Sequence, residues 1–308
     1  MNRENTTFEV VIIGGSYAGL SAAMALGRAL RNVLVIDNGK PCNAQTPHSH
    51  NFITQDGETP AAIAARAKEQ VMQYPTVQFL NATAVAVSGE NADFVVSTNS
   101  GLTINTKKIL FATGVKDIMP AIEGFAACWG ISVIHCPYCH GYEYKGQNTG
   151  ILMNGDMAID MAELIDNWTS QLTIFTNGKS TISNARLEQF LQFSQVQVVE
   201  KEISSLQHIN GQLQHIEFTD GSAQTLDALY ARPAFVQQSN IPELLGCHYT
   251  EGGYLAVDDM QKTNIPGVYA AGDNITMRRS VSGAVATGGF AGAIINHELI
   301  ADKFGRHS

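Results

Sequence analysis

The feature that most constrains this chain lies between residues 10 and 37. Val10 to Ile13 is a short, β-branched apolar run, followed by Gly14-Gly15-Ser16-Tyr17-Ala18-Gly19. Leu20 to Ala29 then has helical composition, and Val33-Leu34-Val35-Ile36-Asp37 is a second apolar run. Strand, turn, helix and strand in that order form a βαβ unit, which commits the chain to an α/β fold around a parallel sheet. Gly14, Ser16 and Gly19 fill the small positions of a G-x-G-x-x-G fingerprint, with Ser in the middle. Gly14 permits a tight turn out of the strand. A small residue at 16 lets the backbone approach a pyrophosphate, and Gly19 lets the helix pack close to the sheet with its N-terminal N–H groups facing the phosphates. Asp37 ends the second strand, where a carboxylate accepts hydrogen bonds from a ribose. The pattern predicts dinucleotide binding; the plainer alternative is a tight turn with no ligand.

The rest of the chain suggests two domains. Its 308 residues fit that number at the usual size of ~100–200 residues each. Pro60 to Tyr74 reads as a helix, with Pro75 just beyond its end, and Val77 to Leu110 as a meander of strands and polar turns. A second βαβ pattern follows: strand Thr149 to Met153, helix Asp156 to Trp168, strand Leu172 to Phe175. Near the end, Val268 to Asp273 is a strand closing in a turn, and Ser280 to Leu299 is an Ala- and Gly-rich helix. These changes place one domain at 115–243 as an insertion within another formed by 1–114 and 244–308.

Charge and hydropathy narrow the function. A net charge of −9 with no Lys/Arg run argues against a nucleic-acid or acidic-membrane partner. No stretch approaches the ~18–20 apolar residues of a membrane span. Met1 to Glu9 is polar and unlike a signal peptide, so the expected compartment is the cytoplasm. There, five cysteines are expected to be free, catalytic or metal-binding rather than a disulfide framework.

Cys136 and Cys139 are separated by two residues, the spacing that can close and reopen a disulfide within one turn. If Cys136 begins a helix, the helix terminus lowers its thiol pKa and favours the reactive thiolate. Cys136 to His140 also spells C-x-x-C-H, the haem-attachment motif, but haem attachment normally follows export and no export signal is present. Zinc would want two further ligands at regular spacing, and no second C-x-x-C follows, so no metal is expected. Cys42, Cys128 and Cys247 read as buried small hydrophobes.

Two further motifs decide which dinucleotide. Leu110-Phe111-Ala112-Thr113-Gly114 and Ala271-Gly272-Asp273 resemble the A-T-G and G-D motifs of FAD-dependent disulfide reductases. Together with His135-Cys136-Pro137-Tyr138-Cys139-His140-Gly141 they make the chain similar, over nearly its whole length, to the low-molecular-weight thioredoxin reductases. The resemblance implies two Rossmann-like three-layer domains: a discontinuous FAD domain, and an inserted NAD(P)-type domain carrying the C-x-x-C. It also implies a homodimer and, as partner, a thioredoxin-like protein or a small dithiol or disulfide. Gly14, Ser16, Gly19 and Asp37 would hold the ADP half of FAD, and Thr113 and Gly114 would belong to the same cofactor site. Gly272 and Asp273 would meet the ribityl chain. Ser280 and Val281 would start a helix beside the flavin pyrimidine, where a helix N-terminus stabilises negative charge. Cys139 would face the flavin, and Cys136 would be the interchange thiol. His140 departs from the family, which has Asp there, yet a histidine of pKa ~6.5 can also shuttle protons. His135 and Glu143 are secondary candidates.

The nicotinamide site departs further. In Met153-Asn154-Gly155-Asp156-Met157-Ala158, Met153 occupies the first small position, where a side chain reshapes the turn. The family's paired arginines after the next strand are replaced in Phe175-Thr176-Asn177-Gly178-Lys179, leaving Lys179 as the nearby cation for a 2′-phosphate. Efficient NADPH use is therefore doubtful. Two variants of the fold fit such a loss: the gliotoxin-type dithiol oxidases, which also carry C-x-x-C-H, and the pyridine-nucleotide-independent thioredoxin reductases. Pro47-His48-Ser49-His50-Asn51-Phe52 with Gln55-Asp56-Gly57 resembles a histidine-containing loop of the oxidase-like group, from which His48 or His50 could reach the flavin or a dithiol. Three other readings stay open: an ordinary NADPH-dependent thioredoxin reductase, an NAD(P)H oxidase or diaphorase with incidental cysteines, and a flavoprotein without catalytic turnover.

Overall fold

The structure, a computed structural model, describes residues 7–306, so most of the polar Met1–Glu9 segment lies outside the described residues. The chain divides into two compact units. One comprises Met1–Ala44, Ala61–Lys116 and Phe235–Ser308; the other comprises Gln45–Pro60 and Asp117–Ala234. Among the described residues no helix is long and apolar enough to cross a membrane.

The first unit is built on a sheet whose parallel strands run in the order Val77–Asn81, Val33–Asp37, Thr7–Ile13, Thr103–Phe111. Val268–Ala270 pairs in parallel with Thr103–Phe111. Successive residues of the first strand serve opposite faces, as a pleated strand requires. Val10 and Ile12 join one apolar cluster with Ala22 and Leu26 of the helix Tyr17–Arg28 and Ile295 and Leu299 of the helix Val281–Lys303. Val11 and Ile13 join a second cluster with Phe94, Val96, Ile104 and Phe111. Burial on both faces explains why these strands are near-continuous apolar runs.

The meander expected over 77–110 holds only from Ala84 onward, where Ala84–Glu90, Asp93–Thr98 and Thr103–Phe111 pair antiparallel. Val77–Asn81 is instead parallel to Val33–Asp37. The helix Pro60–Val71 precedes it, and a helical crossover returns the chain in the same direction.

The second unit repeats the architecture on a smaller scale. Its parallel sheet runs Gln197–Val199, Leu172–Phe175, Thr149–Leu152, Ala228–Ala231, Val133–Ile134. The helices Met157–Ile165 and Asn184–Leu191 belong to this unit, as does an antiparallel sheet of Ile203–Ile209, Gln212–Phe218 and Ala223–Thr225. Gln45–Pro60 is held in loop form by a bridge between Ser49 and Glu58.

Candidate active site

In the first unit the fingerprint glycines are fixed by close approach. Gly14 has φ 108°, and a Cβ there would lie 2.2 Å from the Ala112 carbonyl oxygen. A Cβ on Gly19 would lie 1.9 Å from the Gly14 oxygen. Neither position admits a side chain without moving backbone. Gly15, which the sequence reading passed over, donates its N–H to Asp37 Oδ1 at 3.1 Å and leaves no room for a Cβ beside that carboxylate. Ser16 starts the helix Tyr17–Arg28 in an extended conformation, and its hydroxyl caps no N–H, so the helix start offers its donors to a ligand.

The other cofactor candidates lie in the same unit. Thr113 Oγ1 is buried and has no hydrogen-bond partner, and Gly114 adopts φ 68°. Gly272, at φ 90°, donates its N–H to Thr287 Oγ1 at 3.1 Å. The Asp273 carboxylate lies 3.9 Å from Arg279 Nε. Asn274 was not singled out by sequence, yet it is fully buried and donates to the Phe111 carbonyl at 2.9 Å, tying the Gly272-Asp273 turn to the end of the strand Thr103–Phe111. Its Oδ1 has no partner either. Ser280 caps the helix Val281–Lys303 by accepting from Gly283 N–H at 3.0 Å. A glycine cradle, an uncapped helix start and buried polar atoms awaiting partners fit a dinucleotide such as FAD.

The cysteine site belongs to the second unit. Cys136 and Cys139 form a disulfide with Cα atoms 5.3 Å apart. Cys136 is the N-cap of the short helix Pro137–His140, with Pro137 supplying the φ of the first turn. The Cys139 N–H points to Cys136 Sγ at 3.2 Å, an arrangement that stabilises a thiolate at Cys136 once the bond opens. Gly141 ends the helix where a Cβ would meet the Pro137 oxygen at 2.5 Å and the Trp168 ring at 3.0 Å. Tyr138 is exposed beside the disulfide and meets Trp168 edge to face, with centroids 5.8 Å apart.

The histidines separate. Burial, with a smaller push from the charge of His50, lowers His140 to about 4, so it is a neutral ring at physiological pH. His135 packs against Trp129, with centroids 5.8 Å apart. Glu143 lies 3.5 Å from His50 Nε2. Sequence placed His135, His140 and Glu143 in one short segment; the structure adds His50 from 90 residues upstream, a contact no local pattern reveals. Of the remaining cysteines, Cys128 and Cys247 are buried as expected and burial raises both thiols, but Cys42 is exposed. It sits in the loop after Asp37, where residues 38–42 are all exposed.

The second nucleotide-type turn is closed upon itself. Met153 packs into the core rather than turning, and Gly155 takes the left-handed conformation instead, φ 75°. Asn154 Oδ1 accepts from Gly155 N–H, Thr181 N–H and Thr181 Oγ1 at 2.8, 2.8 and 3.0 Å. Asp156, at the start of the helix Met157–Ile165, accepts from Ser183 N–H at 2.8 Å. Arg186, a cation that sequence reasoning left out, pairs with Asp160 at 2.5 Å and Glu163 at 3.2 Å.

Known proteins resemble this chain over nearly its whole length. The sequence model of the pyridine nucleotide-disulphide oxidoreductases matches residues 8–288. The thioredoxin reductase tcpT of Claviceps purpurea is 33% identical over 97% of this chain and 97% of its own length. The thioredoxin reductase sirT of Leptosphaeria maculans is 30% identical, covering 95% and 94%. Among solved structures, an oxidoreductase from Agrobacterium tumefaciens superimposes with a TM-score of 0.89 at 34% identity, covering 96% of this chain and 99% of that one.

Proposed function

The chain belongs to the pyridine nucleotide-disulphide oxidoreductase family, and from that premise we propose that it exchanges electrons between the Cys136–Cys139 pair and an external dithiol or disulfide without efficient use of NADPH. It is a flavin-dependent disulfide oxidoreductase of thioredoxin-reductase-like type, and its cofactor is FAD. Gly14, Ser16, Gly19 and Asp37 would hold the adenosine and pyrophosphate half, with Thr113, Gly114, Gly272, Asp273, Ser280 and Val281 along the remainder. FAD supplies a two-electron acceptor and donor for the cysteine pair.

The residues of the chain perform the thiol chemistry. In the direction of dithiol oxidation, the first substrate thiol gives its proton to His140 and attacks Cys136 Sγ. The Cys136–Cys139 bond breaks, a mixed disulfide forms, and Cys139 leaves as the thiolate. The second substrate thiol then gives its proton to the Cys139 thiolate and attacks the substrate sulfur of the mixed disulfide. The substrate departs as a disulfide and Cys136 as a thiolate, held by the Cys139 N–H. Both electrons now reside on the pair. The reverse sequence reduces a substrate disulfide, such as that of a thioredoxin-like protein. Family resemblance supports a homodimer.

The observation that carries this reading is a formed disulfide at the start of a helix, directly followed by a half-buried neutral histidine. The doubt over NADPH rests on the closed Asn154–Thr181 turn and on Arg186, whose charge two carboxylates already hold. Cys136→Ser and Cys139→Ser should retain yellow, FAD-bound protein and lose flavin bleaching by dithiothreitol by at least about a hundredfold. A double variant that is still bleached at the wild-type rate would sink the scheme.

A further inference from the structure

Gln237 ends the short strand Phe235–Gln237 and takes no part in the exchange as written, yet its side chain grips the chain at the Gly272-Asp273-Asn274 turn. Its Nε2 donates to the carbonyls of Gly253 at 2.9 Å and Asn274 at 3.0 Å. The Asn274 carbonyl also accepts from Leu255 N–H at 2.9 Å, so both its lone pairs are used. Phe235 packs on Tyr254 with ring centroids 4.6 Å apart, which seats the strand against the same 253–255 segment. Next in sequence, Gln238 N–H donates to the Gly114 carbonyl at 3.3 Å. Two consecutive residues thus hold both the Thr113-Gly114 and the Gly272-Asp273-Asn274 turns, all within the first unit.

This bonding fixes which way the amide faces. Gly253 and Asn274 offer only carbonyl oxygens, so the NH₂ end of Gln237 must meet them and Oε1 must face away. That oxygen is buried with no hydrogen-bond partner in the protein. Asn274 is fixed in the same sense: Nδ2 donates to the Phe111 carbonyl at 2.9 Å, and Oδ1 is buried without a partner. Thr113 Oγ1, beside Gly114, is a third such atom. Buried polar atoms are costly to leave unpaired, and the two amide oxygens call for donors. FAD carries donors in the hydroxyls of its ribityl chain, the part that resemblance sets against Asp273.

We infer that Gln237 is a positioning residue for FAD: its amide ties the Gly272-Asp273-Asn274 turn to the strand beside Gly114, so that Asp273 is presented to the cofactor in one orientation. The inference rests on the reading of Asp273 as a contact of FAD. Thr287 holds Gly272 from the helix Val281–Lys303, and the Phe111 carbonyl holds Asn274 from the end of the strand Thr103–Phe111. Gln237 adds the support that joins this turn to the Thr113-Gly114 segment.

The test uses FAD-loaded Gln237→Met, which keeps the length of the side chain and loses both donors. Gln238→Met serves as control, since the main-chain N–H of that residue makes the contact with Gly114. The rise of free-flavin fluorescence on dilution follows FAD release, and visible circular dichroism reports the surroundings of the bound flavin. Gln237→Met should release FAD about tenfold faster, the effect of one or two ordinary hydrogen bonds. It should also change the visible dichroism, with Gln238→Met matching wild type in both. Gln237→Asn takes its place if the Met variant does not fold, with effects in the same direction because its amide is one methylene short. Release and dichroism equal to wild type in the Gln237 variant overturn the inference and leave FAD binding intact. Faster release with unaltered dichroism marks a merely structural loss and overturns it too. Asp273→Ala is measured in parallel: unchanged release there overturns the reading of Asp273 as an FAD contact, and the inference with it.

Discussion

His140 sits where its neutral form is favoured, and this makes it a liability at low pH. Its folded pKa is lowered to about 4, mainly by burial and then by His50, from an unfolded value of 6.5. The unfolded chain therefore binds a proton at His140 more tightly than the folded one. The associated stability is fully present above pH 6.5 and is lost as pH falls from there towards 4, on the order of 3 kcal/mol at the ordinary value of ~1.4 kcal/mol per unit. Urea unfolding at pH 7 and pH 4.5 should show a drop in wild type that is visibly smaller in His140→Gln; equal drops would mean that the ring is not held neutral. At this scale Cys136, Cys139 and the fingerprint glycines were legible because their chemistry resides in residue identity and short spacing. His50 was legible only as a candidate. Its partner Glu143 is 93 residues away, and what distinguishes it from His48 is which carboxylates the fold sets against its ring.

At the scale of elements, the helix Val281–Lys303 shows why an Ala- and Gly-rich segment belongs in this chain. It packs against the helix Tyr17–Arg28 so closely that a Cβ on Gly288 would lie 2.1 Å from the Ala18 carbonyl oxygen. Ser21 Oγ donates across the pair to the Val285 carbonyl at 2.7 Å. The neighbouring Gly289 differs, since its Cβ would meet only the Ser21 hydroxyl at 2.9 Å, the movable end of a side chain. Gly288→Ala should therefore cost about 1–3 kcal/mol by overpacking. Gly289→Ala should cost less, offset by up to ~1 kcal/mol of helix propensity. Thermal unfolding and flavin release measured on both variants check the contrast, and equal effects would contradict it.

The other end of that helix holds a feature that sequence hid. Lys108 is fully buried within the strand Thr103–Phe111 and pairs with Glu298 at 3.2 Å and Asp302 at 2.8 Å. Burial pushes the Glu298 carboxyl up, but Lys262, Tyr269 and Lys108 together bring it below its ordinary value. In the sequence Lys107 and Lys108 look alike; pleating alone sends one to solvent and the other inward. The direction of Val77–Asn81 was hidden for a related reason. Period and composition identify a strand, but the crossover before it decides its direction.

For the whole molecule, two βαβ starts announced two α/β units, and the structure divides the chain into two such bodies. The two nucleotide-type turns have diverged in opposite ways. The first keeps positions where any side chain would collide with backbone, as at Gly14 and Gly19, and leaves its helix start uncapped. The second admits Met153, ties Asn154 to Thr181 and gives its arginine to Asp160 and Glu163. Sequence showed that the second turn had changed. It did not show that the freed hydrogen-bonding capacity was taken up within the unit, because Thr181, Ser183 and Arg186 carry no motif of their own.

The central claim of the proposal is that this flavoprotein exchanges electrons with an external dithiol or disulfide through the Cys136–Cys139 pair, without efficient use of NADPH. The most direct measurement is an anaerobic titration of purified, FAD-loaded protein with NADPH and, separately, with dithiothreitol, following flavin absorbance. The account expects dithiothreitol to bleach the flavin at near-stoichiometric amounts, with NADPH leaving it oxidised over the same time. Rapid bleaching by one equivalent of NADPH would contradict the account and make the chain an NADPH-dependent reductase despite its closed second turn.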